Sequence, residues 1–209
     1  MQLSSYSKVE EISHSVSHGL GFAASVAGLV LLLQASGSDG WRLASALVFG
    51  LSLCLLYASS TCYHACQAAA WKRRLRKLDH CAIFILIAGT YTPFTLISLR
   101  EYGGWWLFGV VWTLALLGVV LKLFTTGKLQ KLSVAMYLLM GWLILVKLDT
   151  MLAQVSSEGL WWLLAGGLCY SLGVAFYVRK SMFMHHLIWH LFVLAGSACH
   201  FLAIYLYVI

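Results

Sequence analysis

Seven apolar runs of about twenty residues each dominate the chain, at roughly 16–34, 43–66, 79–99, 103–124, 131–152, 159–179 and 186–207. A hydrocarbon layer of about 30 Å takes roughly 20 helical residues to cross, and backbone inside it must satisfy its own hydrogen bonds. The expected fold is therefore all-α: a polytopic membrane protein with seven transmembrane helices. Connections are short, so the expected division is a cytoplasmic N-terminal segment, 1–15, and a transmembrane domain, 16–209. The N-terminal stretch MQLSSYSKVEEISHSVSH is polar and acidic, unlike a cleavable signal peptide, so the first segment is expected to stay in the membrane.

Composition excludes the soluble classes. Of the 209 residues 61% are hydrophobic and 10% charged, too few charges to cover a water-exposed surface. The formal charge of +7 would suit nucleic acid if the cations formed a face, but they lie in short clusters between apolar runs. No nucleic-acid partner is expected. The six cysteines contain no CxxC pair and sit within or at the ends of apolar runs, where they read as small packing residues. Cys62, His64 and Cys66 resemble a metal knot as text, yet helical residues two apart point about 200° from each other.

Lys and Arg set the orientation. With the N-terminus inside, eleven of the fourteen fall on the cytoplasmic side, including the WKRRLRK stretch, and only Arg42, Arg100 and Lys147 fall outside. The expected location is the cell inner (plasma) membrane, multi-pass, with the C-terminus periplasmic or extracellular. Trp105-Trp106 and Trp161-Trp162 then fall at outer helix ends, as interfacial aromatic residues should.

On this map five polar groups share the inner leaflet. Ser60 and His64 lie four apart at the end of the second segment, Asp79 opens the third, and His186 and His190 lie four apart at the start of the seventh. The agreement depends on parity, since an even number of crossings would put the His186 pair on the opposite side. Two imidazoles one turn apart, a third from a facing helix and a nearby carboxylate suit zinc, copper or iron, with one position left for water. Asp79 is then a fourth neighbour that orients the water or takes its proton. The bland alternative is a set of hydrogen-bonded packing histidines, but several ionisable groups in one leaflet are costly without a shared purpose. His14 and His18, also four apart, are a competing pair that either binds the metal instead or gates the site. His80, His185 and His200 are expected off the site, His200 lying about 15 Å beyond His190 at 1.5 Å per residue. Pro93 should bend the third helix, with Thr90 and Thr92 taking up freed carbonyls.

EEISHSVSHGLG, SSTCYHA, KLDHCAIFILIAGTYTPF and HHLIWHLFVLAGSACHF resemble the signature segments of the hemolysin III branch of the progestin and adipoQ receptor family, within the wider alkaline ceramidase-like superfamily. The resemblance covers essentially the whole chain. It implies a seven-helix fold and an intramembrane zinc held at His64, His186 and His190, with Asp79 near a zinc-bound water and Ser60 in the same pocket. Position 14, commonly Asn in the family, is His here. Two functions follow as expectations. One is a zinc-dependent intramembrane hydrolase of a lipid amide or ester, with Asp79 and Ser60 catalytic and a membrane lipid as substrate. The other is a non-enzymatic membrane-homeostasis regulator, or a hemolysin-type pore former, in which zinc is structural.

Overall fold

The computed structural model describes residues 6–126 and 128–209. Helix α1 (Lys8–Ser36) starts eight residues ahead of its apolar run because Ser7 and Glu10 close a reciprocal cap: the Glu10 amide donates to Ser7 Oγ at 3.2 Å and the Ser7 amide to Glu10 Oε2 at 2.9 Å. Residues 1–5 of the expected N-terminal segment lie outside the described residues. Asp39 caps α2 (Gly40–Ala65); amide donation from Arg42 and Trp41 holds its carboxyl below the usual carboxylate range. Helix α3 (Ala69–Pro93) runs on into a wide turn, Phe94–Ser98, and α4 spans Gly104–Thr125.

The fifth crossing is broken. Helix α5 (Gln130–Trp142) tightens through Leu143–Lys147 before α6 (Leu148–Gln154) completes the span. The cause is a side chain inserted in the ladder: the Tyr91 hydroxyl donates to Met140 O at 2.7 Å and accepts from the Ile144 amide at 2.8 Å. Helices α7 (Ser157–Val178) and α8 (His185–Tyr207) complete, among the described residues, seven spans long and apolar enough to cross a membrane.

Two sequence expectations are corrected. The basic WKRRLRK stretch is the start of α3, so the connection from α2 shrinks to Cys66, Gln67 and Ala68. Lys, Arg and Leu are good helix formers, and the helix continues through them once Lys72 turns inward to a carboxylate. Thr90 and Thr92 also do not serve the carbonyl freed by Pro93: their hydroxyls donate to Leu86 O and Ala88 O.

The crossings close into a ring in which α1 packs between α2 and α8, α3 follows α2, α4 follows α3, and α5 reaches α7. Lipid reverses the usual amphipathic rule. On α1 the outward residues are Val9, Ile12, Val16 and Leu20, while Glu11, His14, Ser17, His18 and Gly21 turn inward. Small residues set the spacing: a Cβ on Gly118 would strike the Phe84 ring, so α3 and α4 can approach only with glycine there. At the end opposite the histidines, Trp41 meets Trp105 edge to face at 5.4 Å and Arg42 Nη1 donates to Ile209 O at 2.9 Å. The C-terminus and the α1–α2 connection thus share one end of the bundle.

Candidate metal centre and its cavity

Three helices bring imidazoles to one point. Helix α1 contributes His14, the last turn of α2 contributes His64, and the first turn of α8 contributes His186. All three are buried, and one nitrogen from each lies within 4.8 Å of the others, so the group could hold a metal ion. Nitrogens bound at about 2.0–2.1 Å in tetrahedral geometry stand roughly 3.4 Å apart, a difference that small side-chain rotations close. Among the described residues, both nitrogens of His14 and Nε2 of His64 lack a hydrogen-bond partner. Buried imidazoles left unpaired are costly unless something accepts their lone pairs.

The tautomer of His64 is set by a carboxylate. Its Nδ1 lies 2.7 Å from Glu11 Oε2, and an ionised carboxylate can only accept, so Nδ1 carries the proton and Nε2 presents its lone pair to the cluster. The other oxygen, Oε1, takes Lys72 Nζ at 2.8 Å. Ligating histidines are typically oriented this way, by a carboxylate on the ring nitrogen away from the metal.

His190 stands beside this group. Its ring centroid is 4.6 Å from that of His186 and 5.2 Å from those of His14 and His64. It stacks on His18 at 3.6 Å, and its Nδ1 meets Ser17 Oγ at 3.1 Å. Of the histidines singled out in sequence, the structure therefore groups His64 and His186 with His14 and places His190 adjacent. The Tyr6 ring covers the outer side, stacked on His186 at 5.2 Å, and burial pushes its phenol above the ordinary tyrosine value.

Ser60 and Asp79 lie in the same neighbourhood. They line a cavity of about 520 Å³ together with His18, His186 and His190. From this polar head the cavity runs between α3, α5, α7 and α8 along apolar walls that include Leu86, Ile87, Leu163 and Val193. Thr90, Tyr91 and Phe94 form part of its wall, so the turns flanking Pro93 border it. His80 also lines the cavity, and its backbone oxygen accepts from Tyr137 at 3.1 Å; His185 flanks Tyr6 and His186 without joining the metal-capable group.

The chain matches the family described as Haemolysin-III related over residues 6–201. It belongs to that family. The Hemolysin-3 homolog of Bacillus subtilis (strain 168) is 42% identical over 200 residues, covering 95% of this chain and 94% of the relative. Hemolysin-3 of Bacillus cereus is 41% identical over 202 residues, with coverage of 96% and 92%. The human Monocyte to macrophage differentiation factor is 30% identical over 213 residues, with coverage of 95% and 84%.

Within this haemolysin-III chain, sequence reading passed over Glu11, Lys72 and Tyr6 as parts of the site. The signal for Glu11 was present: it precedes His14 by three residues and His18 by seven, on one face of a helix. Lys72 lies in the basic WKRRLRK stretch, and only its helical placement turns it toward Glu11.

Proposed function

We propose that this haemolysin-III protein is a zinc-dependent intramembrane hydrolase acting on a lipid amide or ester in membrane lipid homeostasis. The observation carrying this reading is that His186, a member of the metal-capable imidazole group, lines one apolar cavity together with Ser60 and Asp79. His64 and His186 belong to either arrangement of ligands; the third is His14 by side-chain geometry or His190 by sequence spacing. Zinc bound there would supply Lewis-acid polarisation of a carbonyl and acidification of water.

The residues divide the remaining work. Glu11 holds the His64 ring in its ligating tautomer. Asp79 accepts the proton of the attacking water at its carboxylate and returns it to the leaving amine or alkoxide. Ser60, which lines the same cavity, positions the water or the substrate carbonyl, and the apolar walls seat the lipid chain. The cation distribution supports a cytoplasmic N-terminus in the plasma membrane, with the first fifteen residues and the metal group on that side.

A second reading has its own support. The three histidines come from three helices, so a bound ion would tie α1, α2 and α8 together without chemistry, as a membrane-homeostasis regulator or pore former would need. One variant separates the two. Asp79→Asn should retain zinc and thermal stability while lowering hydrolysis of a lipid amide or ester by about 10² to 10⁴, measured by mass spectrometry of lipids incubated with the purified protein. Wild-type protein with stoichiometric zinc and no turnover, or an Asp79→Asn variant with full biological activity in cells, would give the structural reading the lead.

A further inference from the structure

The cavity has a second polar station far from its head. His200 lines it from α8, ten residues beyond His190 and therefore about 15 Å further along the helix axis. The ring is 7% exposed and its Nδ1 has no hydrogen-bond partner among the described residues. It is also deliberately housed: a Cβ on Gly166 of α7 would collide with the imidazole, and Tyr170 meets it edge to face at 5.3 Å.

Its polar neighbours are already paired within the protein. Tyr170 and Ser197 hydroxyls meet at 2.9 Å, Trp142 Nε1 donates to Ser171 Oγ at 3.0 Å, and Tyr91 is held by the backbone of α5. An imidazole set alone among satisfied groups, in an otherwise apolar chamber, is a recognition element for a ligand atom. Nδ1 lies on the Gly166 side of the ring, and a flip about χ2 turns it to the opposite side, so the whole ring is the station. Neutral imidazole carries one donor and one acceptor; an aliphatic hydroxyl matches both, whereas an ether or ketone offers only acceptance.

We infer that the cavity selects an amphiphile whose hydrocarbon chain carries a hydroxyl group about a dozen carbons from its head, hydrogen-bonded to His200. The inference rests on the reading of the cavity as the seat of a lipid chain. The spacing follows from geometry, taking the head beside His190: carbon–carbon bonds of about 1.5 Å at roughly tetrahedral angles advance about 1.25 Å each, so roughly twelve bonds span the about 15 Å from His190 to His200. A site built to hydrogen-bond a hydroxyl discriminates against the chain that lacks one.

The test is competition on the full chain in nanodiscs, with displacement of isotope-labelled octadecanoate by unlabelled octadecanoate, 3-hydroxyoctadecanoate or 12-hydroxyoctadecanoate. The 12-hydroxy acid should bind about three- to tenfold tighter than octadecanoate, the net effect of one added neutral hydrogen bond, while the 3-hydroxy acid should show no such gain. His200→Leu should bind octadecanoate normally and lose the preference; His200→Gln, which keeps a donor and an acceptor, should retain part of it. Equal affinity of octadecanoate and the 12-hydroxy acid for wild type would overturn the inference alone, as would a preference surviving in His200→Leu. Failure of every acid to displace the label, or of octadecanoate to bind at all, would overturn the lipid-chain reading as well. Should His200→Leu not fold, the wild-type ranking and His200→Gln still decide.

Discussion

Replacing Glu11 by Gln is the substitution that best separates the metal centre from the helix packing around it. The carboxylate bridges His64 Nδ1 at 2.7 Å and Lys72 Nζ at 2.8 Å, and the three side chains are almost wholly enclosed, at 11%, 0% and 10% exposure respectively. Glutamine offers a single acceptor oxygen. It can serve His64 or Lys72, and its amide N–H groups then face the other donor. If the oxygen turns to Lys72, His64 loses the partner that fixes its tautomer, a change that typically lowers metal affinity 10- to 100-fold. If it turns to His64, the Lys72 ammonium is left facing N–H donors.

The second outcome has a ceiling set by what else Lys72 touches. It also donates to Cys66 O at 3.2 Å and lies 5.2 Å from the Tyr63 ring centroid, so the loss should sit near the low end of the range for breaking a buried pair, about 3 kcal/mol. The assay is chelator-competed zinc titration of purified protein beside a thermal melt. Glu11→Gln should weaken zinc binding at least tenfold if its oxygen turns to Lys72, or lower the melting temperature by roughly 5–10 °C if it turns to His64. Lys72→Met leaves the Glu11–His64 contact in place, so it should lower the melting temperature while holding zinc affinity within about threefold. Wild-type zinc affinity together with an unchanged melting temperature in Glu11→Gln would refute the orienting role, since one of the two donors must lose its acceptor. An equal loss of affinity in both variants would refute it too, because the effect would then travel through packing.

Other outcomes follow from the same geometry. His14→Ala should strip the metal if side-chain placement decides the third ligand, whereas His190→Ala should strip it if the one-turn spacing on α8 does; elemental analysis of the two variants separates them. His64→Ala and His186→Ala should each abolish stoichiometric binding, since both residues belong to either arrangement, and retained metal in either variant would remove the site as assigned. A reporter fused after Ile209 should read periplasmic or extracellular and one inserted near Gln67 cytoplasmic; both on one side would contradict the seven-crossing orientation.

How much of this was legible in the chain depends on the length scale of the signal. Apolar runs as long as a bilayer is thick announce the seven crossings, and their parity alone put Ser60, His64, Asp79, His186 and His190 at one end, where the histidines meet and Ser60 and Asp79 line the cavity beside them. Helix ends were less legible, because the rule that charge marks a connection fails where charge is helix-forming and finds a partner, as Lys72 does with Glu11. The break in the fifth crossing was invisible for a different reason: its cause, Tyr91, belongs to another helix. The role of α1 is masked by its polar start, which in a soluble helix would face water. In water a helix beginning Lys-Val-Glu-Glu would turn Glu11, His14 and His18 to solvent, and they appear as a polar lead into the membrane. In lipid the same periodicity points them inward, since Val9, Ile12, Val16 and Leu20 take the outer face. Once that face is assigned, His14 lies one turn from Glu11 and one turn from His18 on the side that packs against α2 and α8, and of the competing pair His14 and His18 it is His14 that enters the metal-capable group.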